Sequence, residues 1–181
     1  MPSSFYDEMY VSQGVPRAHY QGFSRWLANT PADLLAQRRR EADLLFHRAG
    51  ITFTLYGDDQ GTERLIPFDT IPRSIPRSEW KIIESGCIQR VQALNMFLTD
   101  LYHDQRIIKA GIIPAEQVLA NEGYQMAMQG LDLHRNLYAH IAGVDLVRDS
   151  DGTYYVLEDN LRTPSGVSYM LEDRKMMMRL F

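Results

Sequence analysis

The stretch that decides the fold is GVDLVRDSDGTYYVLEDN, residues 143–160. Two runs rich in Val, Leu and Tyr flank Asp149-Ser150-Asp151-Gly152, and such a cluster of Asp, Ser and Gly is typical of a tight turn. The pattern therefore predicts a β-hairpin. A calcium-binding loop fits poorly, because an EF-hand needs ligands that continue to a Glu at its twelfth position, and this sequence does not supply them.

The spacing also predicts which side chains share a face of the hairpin. We expect a loop of four residues, 149–152, which places Arg148 opposite Thr153. One face then carries Asp145, Tyr154, Val156, Glu158 and Asn160. In this register Asp145 is a diagonal neighbour of Glu158, about 7–8 Å away. A loop one residue longer or shorter would turn Asp145 to the opposite face.

Two interpretations of this polar face remain open from the residues alone. Two carboxylates and an amide oxygen suit a hard, oxygen-binding cation such as Mg²⁺. A solvent-facing polar hairpin would instead carry scattered charges, and Asp159 on the other face fits that alternative. Tyr155 and Leu157 nevertheless give the other face an apolar character. The gathering of two acids and an amide on one face is then an argument for a cation site.

The composition excludes several classes of protein. The chain has 181 residues, 45% of them hydrophobic and 23% charged, as in an ordinary globular protein. A net charge of −4 gives no general nucleic-acid footprint, and the single cysteine, Cys87, excludes an internal disulfide framework. We expect no membrane span and no signal peptide, and therefore a cytoplasmic protein. We expect Cys87 to be a core residue.

The remaining patterns predict an α+β protein of mixed helices and antiparallel hairpins. Thr30 is expected to cap a helix that has Pro31 in its first position and ends at Gly50. After it we expect a hairpin over 51–68 and an extended connector with Pro72 and Pro76. We then expect a long helix over 79–103, capped by Ser78, and a short helix over 114–121. The long helix carries an apolar stripe, with Gln89, Arg90 and Asn95 placed off it; the stripe comprises Trp80, Ile83, Cys87, Val91, Leu94, Leu98 and Leu101.

The last residues, SYMLEDRKMMMRLF (168–181), have helical spacing and end on Leu180-Phe181. We expect this helix to continue into further protein. The alternative is a C-terminal helix docked on the core.

Residues 143–160 resemble the metal-binding hairpin of ATP-grasp ligases, in which an Asp on one strand precedes Glu-x-Asn on the next. With LRTPSGVSYMLEDR (161–174), PRSIPRSEW (72–80) and the long helix, the chain more narrowly resembles the type 2 group of circularly permuted ATP-grasp proteins. That group includes glutathionylspermidine synthase-like enzymes. The resemblance covers nearly all of the chain.

The resemblance implies an incomplete circularly permuted ATP-grasp fold and a set of site residues. Asp145, Glu158 and Asn160 would hold Mg²⁺, and Arg162 would bind an ATP phosphate or the substrate carboxylate. Backbone amides of the turn at Ser165 and Gly166 would stabilise an oxyanion. Many ATP-grasp ligases carry an Arg two residues before the first Asp, where this chain has Gly143, and Arg162 would supply that cation.

The activity implied is an ATP-dependent carboxylate–amine ligase that acts through an acyl phosphate on small-molecule acid and amine substrates. Residues 1–130 would form a substrate or scaffold part, and 131–181 the metal hairpin and the start of the ATP-grasp core. A missing C-terminal half of the same protein would grip ATP, so the chain alone should be inactive and bind ATP weakly.

Two other function classes compete with the ligase. One is a non-catalytic binding or scaffold module that acts with a partner protein. The other is a hydrolase that uses Asp145 and Glu158 as acid and base, against which the lack of a nearby activated nucleophile argues.

Overall fold

The computed structural model of the protein describes residues 5–50, 52–54, 63–65 and 68–180. In these ranges helices accompany three two-stranded antiparallel sheets, as expected for an α+β protein. The elements are β1 (Tyr10–Ser12), β2 (Val15–Pro16), α1 (Gln21–Ala28), α2 (Ala32–Ala49), β3 (Thr52–Thr54), β4 (Glu63–Leu65), α3 (Arg77–Tyr102), α4 (Arg106–Lys109), α5 (Ala115–Leu119), β5 (Gly143–Arg148), β6 (Tyr154–Asn160) and α6 (Val167–Leu180).

Two compact units make up the chain. The first comprises Met1–Pro76, Ser150–Gly152 and Ser165–Phe181, and the second comprises Arg77–Asp149 and Thr153–Pro164. These units are not divided at residue 130, and the assignment of a substrate part and a core part on either side of that residue stays a prediction.

The first unit buries apolar side chains of α2 and α6 together. Ala42 and Phe46 of α2, and Met176 and Leu180 of α6, are each at most 2% exposed. The ring of Phe46 also packs against Phe68, with 5.1 Å between the ring centroids. The helix α6 is therefore docked on α2, and the expected continuation into further protein stays a prediction.

The predicted start of α2 is wrong by one residue. Pro31, with extended backbone angles, is the residue that precedes the helix, whereas Thr30 donates its hydroxyl to the Trp26 carbonyl at 2.7 Å. Thr30 therefore satisfies the end of α1 instead of the start of α2. Gly50 ends α2 in the left-handed conformation (φ 66°), as predicted. The turn expected at residues 57–61, between β3 and β4, lies outside the described residues.

The second unit is organised around α3, which begins at Arg77, so Ser78 is not its cap as predicted. The expected apolar stripe is buried only in part: Ile83 and Leu101 are buried, but Trp80 is half exposed. Cys87 is half-buried. Within the described residues, no helix has both the length and the apolarity required to cross a bilayer.

Asn95 of α3 is more buried than the sequence predicts. The sequence places it off the apolar stripe, and yet it is only 7% exposed. Its Oδ1 accepts hydrogen bonds from the backbone N–H groups of Tyr138 (2.8 Å) and Ala139 (3.1 Å). Nearby, the ring of Tyr138 stacks on Tyr102 at 5.5 Å. These contacts fix the chain that leads into β5 against α3, since a buried amide left without partners would be costly.

Candidate metal centre

The hairpin formed by β5 and β6 is present, but its register differs from the predicted one. Near the turn Arg148 lies opposite Tyr154, one residue later than expected, and Leu146 lies opposite Val156. The ladder then shifts, so that Asp145 lies directly opposite Glu158. Leu157 is left without a partner, which makes it the extra residue of a β-bulge.

The bulge decides which side chains share a face, since opposite residues of an antiparallel pair point to the same side. We call outer face the set Asp145, Val147, Tyr155, Glu158 and Asn160, and inner face the set Val144, Leu146, Arg148, Tyr154, Val156 and Asp159. Asp145, Glu158 and Asn160 do share a face, but Tyr154 and Val156 are not on it as predicted. Tyr155, placed by the sequence on the other face, joins the acids.

The acids of the outer face are closer than the sequence suggested. Directly opposed residues hold their Cβ atoms about 4.5–5.5 Å apart, in place of the 7–8 Å of a diagonal pair. The pKa of Asp145 is raised, first by partial desolvation of its carboxyl group and then by its hydrogen bond to Glu158 and the negative charge of Glu158. The amide of Asn160 donates to Glu158 Oε1 at 3.0 Å. All three side chains are exposed.

The inner face is neutralised by α3 at two places. At the turn end, Glu79 Oε2 lies 3.1 Å from Arg148 Nη1 and accepts a hydrogen bond from the Tyr154 hydroxyl at 3.2 Å. At the open end, Arg90 Nε lies 2.7 Å from both carboxylate oxygens of Asp159, and Nη2 lies 2.7 Å from Oδ2. We refer to these as the turn-end contact and the open-end contact. Each charge on this face therefore has a counter-charge.

The outer acids lack such a counter-charge: within residues 5–50, 52–54, 63–65 and 68–180, no ion pair involves Asp145 or Glu158. Among the same residues, no three His, Cys, Asp or Glu side chains cluster as metal ligands, so the candidate set is two carboxylates and one amide. Hard oxygen donors with adjacent, uncompensated negative charge fit Mg²⁺, which takes its other ligands from water and substrate phosphates.

The other predicted site residues belong to different parts of the structure. Arg162 is exposed in a bend after β6, in the second unit. Ser165 and Gly166 belong to the first unit. Gly166 (φ 94°) directly precedes α6, and its carbonyl accepts the Met170 N–H at 2.9 Å. The roles proposed for these three residues stay predictions.

The side chains of Pro164 and Asn160 leave little room for a larger residue at Gly143. A Cβ built on Gly143 would lie 3.1 Å from Pro164 Cβ and 3.4 Å from Asn160 Cβ. A side chain at this position would require Pro164 or Asn160 to shift by a few tenths of an ångström. At Gly143, where this chain departs from the common ATP-grasp pattern, the chain therefore packs closely beside the candidate metal ligand Asn160.

A groove elsewhere in the second unit contains none of the predicted site residues. Gln92, Met96 and Thr99 of α3 line it, together with Leu137. At about 100° per residue, these positions of α3 lie roughly opposite Arg90, which contacts the hairpin. The groove and the outer acids are therefore separate features.

Comparison with known proteins adds independent findings. A family model described as a circularly permuted ATP-grasp matches residues 72–181. An uncharacterised protein of Synechocystis sp. is 43% identical over 180 residues, which cover 99% of this chain and 37% of that protein. A Frankia casuarinae protein named "Putative glutamate--cysteine ligase 2-2" is 36% identical over 172 residues, covering 94% of this chain and 20% of its own.

The chain thus spans about a third of the length of its Synechocystis relative and of an uncharacterised Mycobacterium leprae relative, which is 42% identical over 179 residues, 99% of this chain and 31% of its own. None of these matches carries the finer resemblance to the type 2 group or to glutathionylspermidine synthase-like enzymes.

Proposed function

Because the chain belongs to the circularly permuted ATP-grasp family, we propose that it supplies the metal-binding hairpin of an ATP-dependent carboxylate–amine ligase. The observation that carries the proposal is the direct opposition of Asp145 and Glu158 on the outer face. Two carboxylates held together without a cation favour binding of a divalent ion, which would relieve their repulsion.

The reaction we propose has two steps. A substrate carboxylate attacks the γ-phosphorus of ATP, which forms an acyl phosphate and releases ADP. An amine then attacks the acyl carbon, phosphate leaves, and the amine loses a proton to give an amide. A magnesium ion, when bound, would neutralise phosphate charge, which is the main demand of phosphoryl transfer.

The residues of this chain would divide the work between them. Asp145, Glu158 and Asn160 would hold magnesium through oxygen atoms. Arg162 would bind a phosphate oxygen or the substrate carboxylate with its planar guanidinium group. The backbone N–H groups of Ser165 and Gly166 would stabilise the oxyanion of the tetrahedral intermediate. The residues that grip adenine would come from chain beyond 1–181, in keeping with the greater length of the relatives.

The first acid and amine to test follow from the Frankia relative, whose name joins glutamate to cysteine. We propose this pair as the starting point of a screen, and other small carboxylates and amines as its extension. The name gives a substrate class to try and fixes neither the acid nor the amine of this chain.

The experiment is ADP release by the complete gene product in Mg²⁺ and ATP, with each acid tested alone and with each amine. The proposal expects ADP release that requires both substrates, and an acyl hydroxamate when hydroxylamine replaces the amine. No acid-dependent ADP release with any pair would contradict the ligase and favour the scaffold module. Amide hydrolysis without ATP would favour the hydrolase.

A further inference from the structure

We propose that Arg90 is a positioning residue that holds the hairpin in its bulged register and thereby keeps Glu158 and Asn160 on the same face as Asp145. This inference concerns the candidate metal site of the proposed function and rests on it only for its catalytic consequence. Its structural part stands on the two contacts of α3 with the inner face.

The spacing on α3 places both contacts on one side of that helix. Glu79 and Arg90 are eleven residues apart, which is close to three turns of 3.6 residues and about 16 Å of rise. Both side chains therefore project toward the same face of the hairpin. Tyr154 and Asp159, which they contact, must consequently both point inward.

A regular strand cannot satisfy that demand. Tyr154 and Asp159 are five residues apart, and side chains an odd number of residues apart point to opposite faces. Five residues of strand span about 17 Å, so the length matches α3 while the parity does not. One extra residue between them restores the parity, and Leu157 is that residue.

Leu157 does not hold the bulge by its own packing, because it is 70% exposed. The Asp159 side chain, by contrast, is only 13% exposed and receives the guanidinium of Arg90. The bulge is therefore held from its two sides by the turn-end contact and the open-end contact. Without the open-end contact, the regular register would place Asp145 opposite Leu157 and would turn Glu158 inward.

The test uses Arg90→Gln, with Arg106→Gln as the matched control. Arg106 is also ion-paired, to Asp100 and Asp104, but these contacts lie at α4 and do not involve the hairpin. In the labelled protein, cross-strand NOEs between Asp145 and Glu158 report the register. The complete gene product gives the Mg²⁺ concentration for half-maximal turnover.

We expect Arg90→Gln to lose the NOEs between Asp145 and Glu158 and to raise the half-saturating Mg²⁺ concentration on the order of 10-fold, as for other residues that orient metal ligands. Arg106→Gln should change neither. Unchanged NOEs in Arg90→Gln would overturn the inference.

Deletion of Leu157 separates positioning from general stability. Without this residue, Tyr154 and Asp159 both point inward in a regular ladder, and Asp145 still lies opposite Glu158. Arg90→Gln combined with the deletion should therefore regain the NOEs and the Mg²⁺ affinity, even if Arg90→Gln alone fails to fold. A double variant that folds without these NOEs, or that does not fold, would count against the inference.

The two proposals can fail separately. If the wild-type protein shows no Mg²⁺-dependent turnover, the proposed function fails and the NOEs still decide the role of Arg90. If turnover depends on Mg²⁺ but Arg90→Gln keeps the register, only the positioning role fails.

Discussion

The two faces of the hairpin formed by β5 and β6 differ in how their aspartates are paired. On the inner face, Asp159 is largely buried and paired with Arg90 through three short contacts. On the outer face, Asp145 lies opposite another carboxylate, and its pKa is raised. The ion pair with Arg90 compensates the charge of the inner acid, whereas repulsion between the two outer carboxylates lowers the stability of the fold. A cation is the simplest compensation for that cost, so the difference indicates where function is located.

Glu158→Gln gives the largest expected effect, because it removes one of the two charges that would bind the cation. In the complete gene product, Mg²⁺-dependent turnover should fall to background while the thermal transition is kept. Glu122→Gln is the matched control, since Glu122 is exposed and is not part of the hairpin strands. Turnover in Glu158→Gln equal to that of the control would count against the outer face as the metal site.

Arg162→Lys sharpens the comparison by keeping the charge and removing the planar fork. We expect kcat/KM to fall at least about tenfold, equivalent to roughly 1.4 kcal/mol, with little change in stability. Arg174→Lys, at an exposed position of α6, is the control. If lysine serves as well as arginine at position 162, bidentate recognition there is wrong.

Gly143→Ala tests the close packing beside Asn160. The new Cβ would press on Pro164 and Asn160, so we expect a loss of about 1 kcal/mol in the free energy of unfolding. Gly86→Ala in α3 meets nothing within 4 Å and should instead stabilise by about 0.5–1 kcal/mol. Chemical denaturation measures both, and a neutral or stabilising Gly143→Ala would show that the neighbours relax freely.

The pH dependence of stability should differ in sign between two aspartates in the metal-free protein. The raised pKa of Asp145 means that its contribution is present below the ordinary Asp pKa and is lost as pH rises through the raised value. Asp145→Asn should therefore raise the melting temperature at neutral pH, with the gain shrinking toward acid pH.

Asp100 supplies the opposite case. Hydrogen bonds from the Ile107 and Arg106 N–H groups, each 2.9 Å long, lower its pKa against a smaller desolvation effect. Its contribution is present above the ordinary Asp pKa and is lost as pH falls through the lowered value. Asp100→Asn should thus lower the melting temperature at neutral pH. Shifts of the same sign in both variants would contradict this account.

The sequence predicts elements better than it predicts their register. The hairpin at 143–160 and the helices α2 and α3 follow from local patterns of apolar and turn-forming residues. The bulge at Leu157 does not, because it depends on Glu79 and Arg90, which lie far away in sequence. The local pattern predicts Thr30 as the cap of α2, but it does not show that the hydroxyl of Thr30 donates to a carbonyl of the preceding helix, α1.

Asn95 shows the same limit in the core. Helical spacing places it four residues after Val91 and seven before Tyr102, beside apolar positions, and this spacing is the signal in the sequence that Asn95 could be buried. What holds it there is the backbone of Tyr138 and Ala139, which no pattern within α3 reveals. For the site, the shared face of Asp145, Glu158 and Asn160 could be predicted, but the direct opposition of the two acids could not.

Titration of Mn²⁺ into the ¹⁵N-labelled chain tests the central claim most directly, since this paramagnetic ion broadens amide signals even when it binds weakly. The account predicts that the signals of Asp145, Glu158 and Asn160 broaden first, and that Glu158→Gln abolishes the effect. Broadening centred on other acids, such as Asp100 and Asp104, or broadening that persists in Glu158→Gln, would contradict the outer face as the cation site.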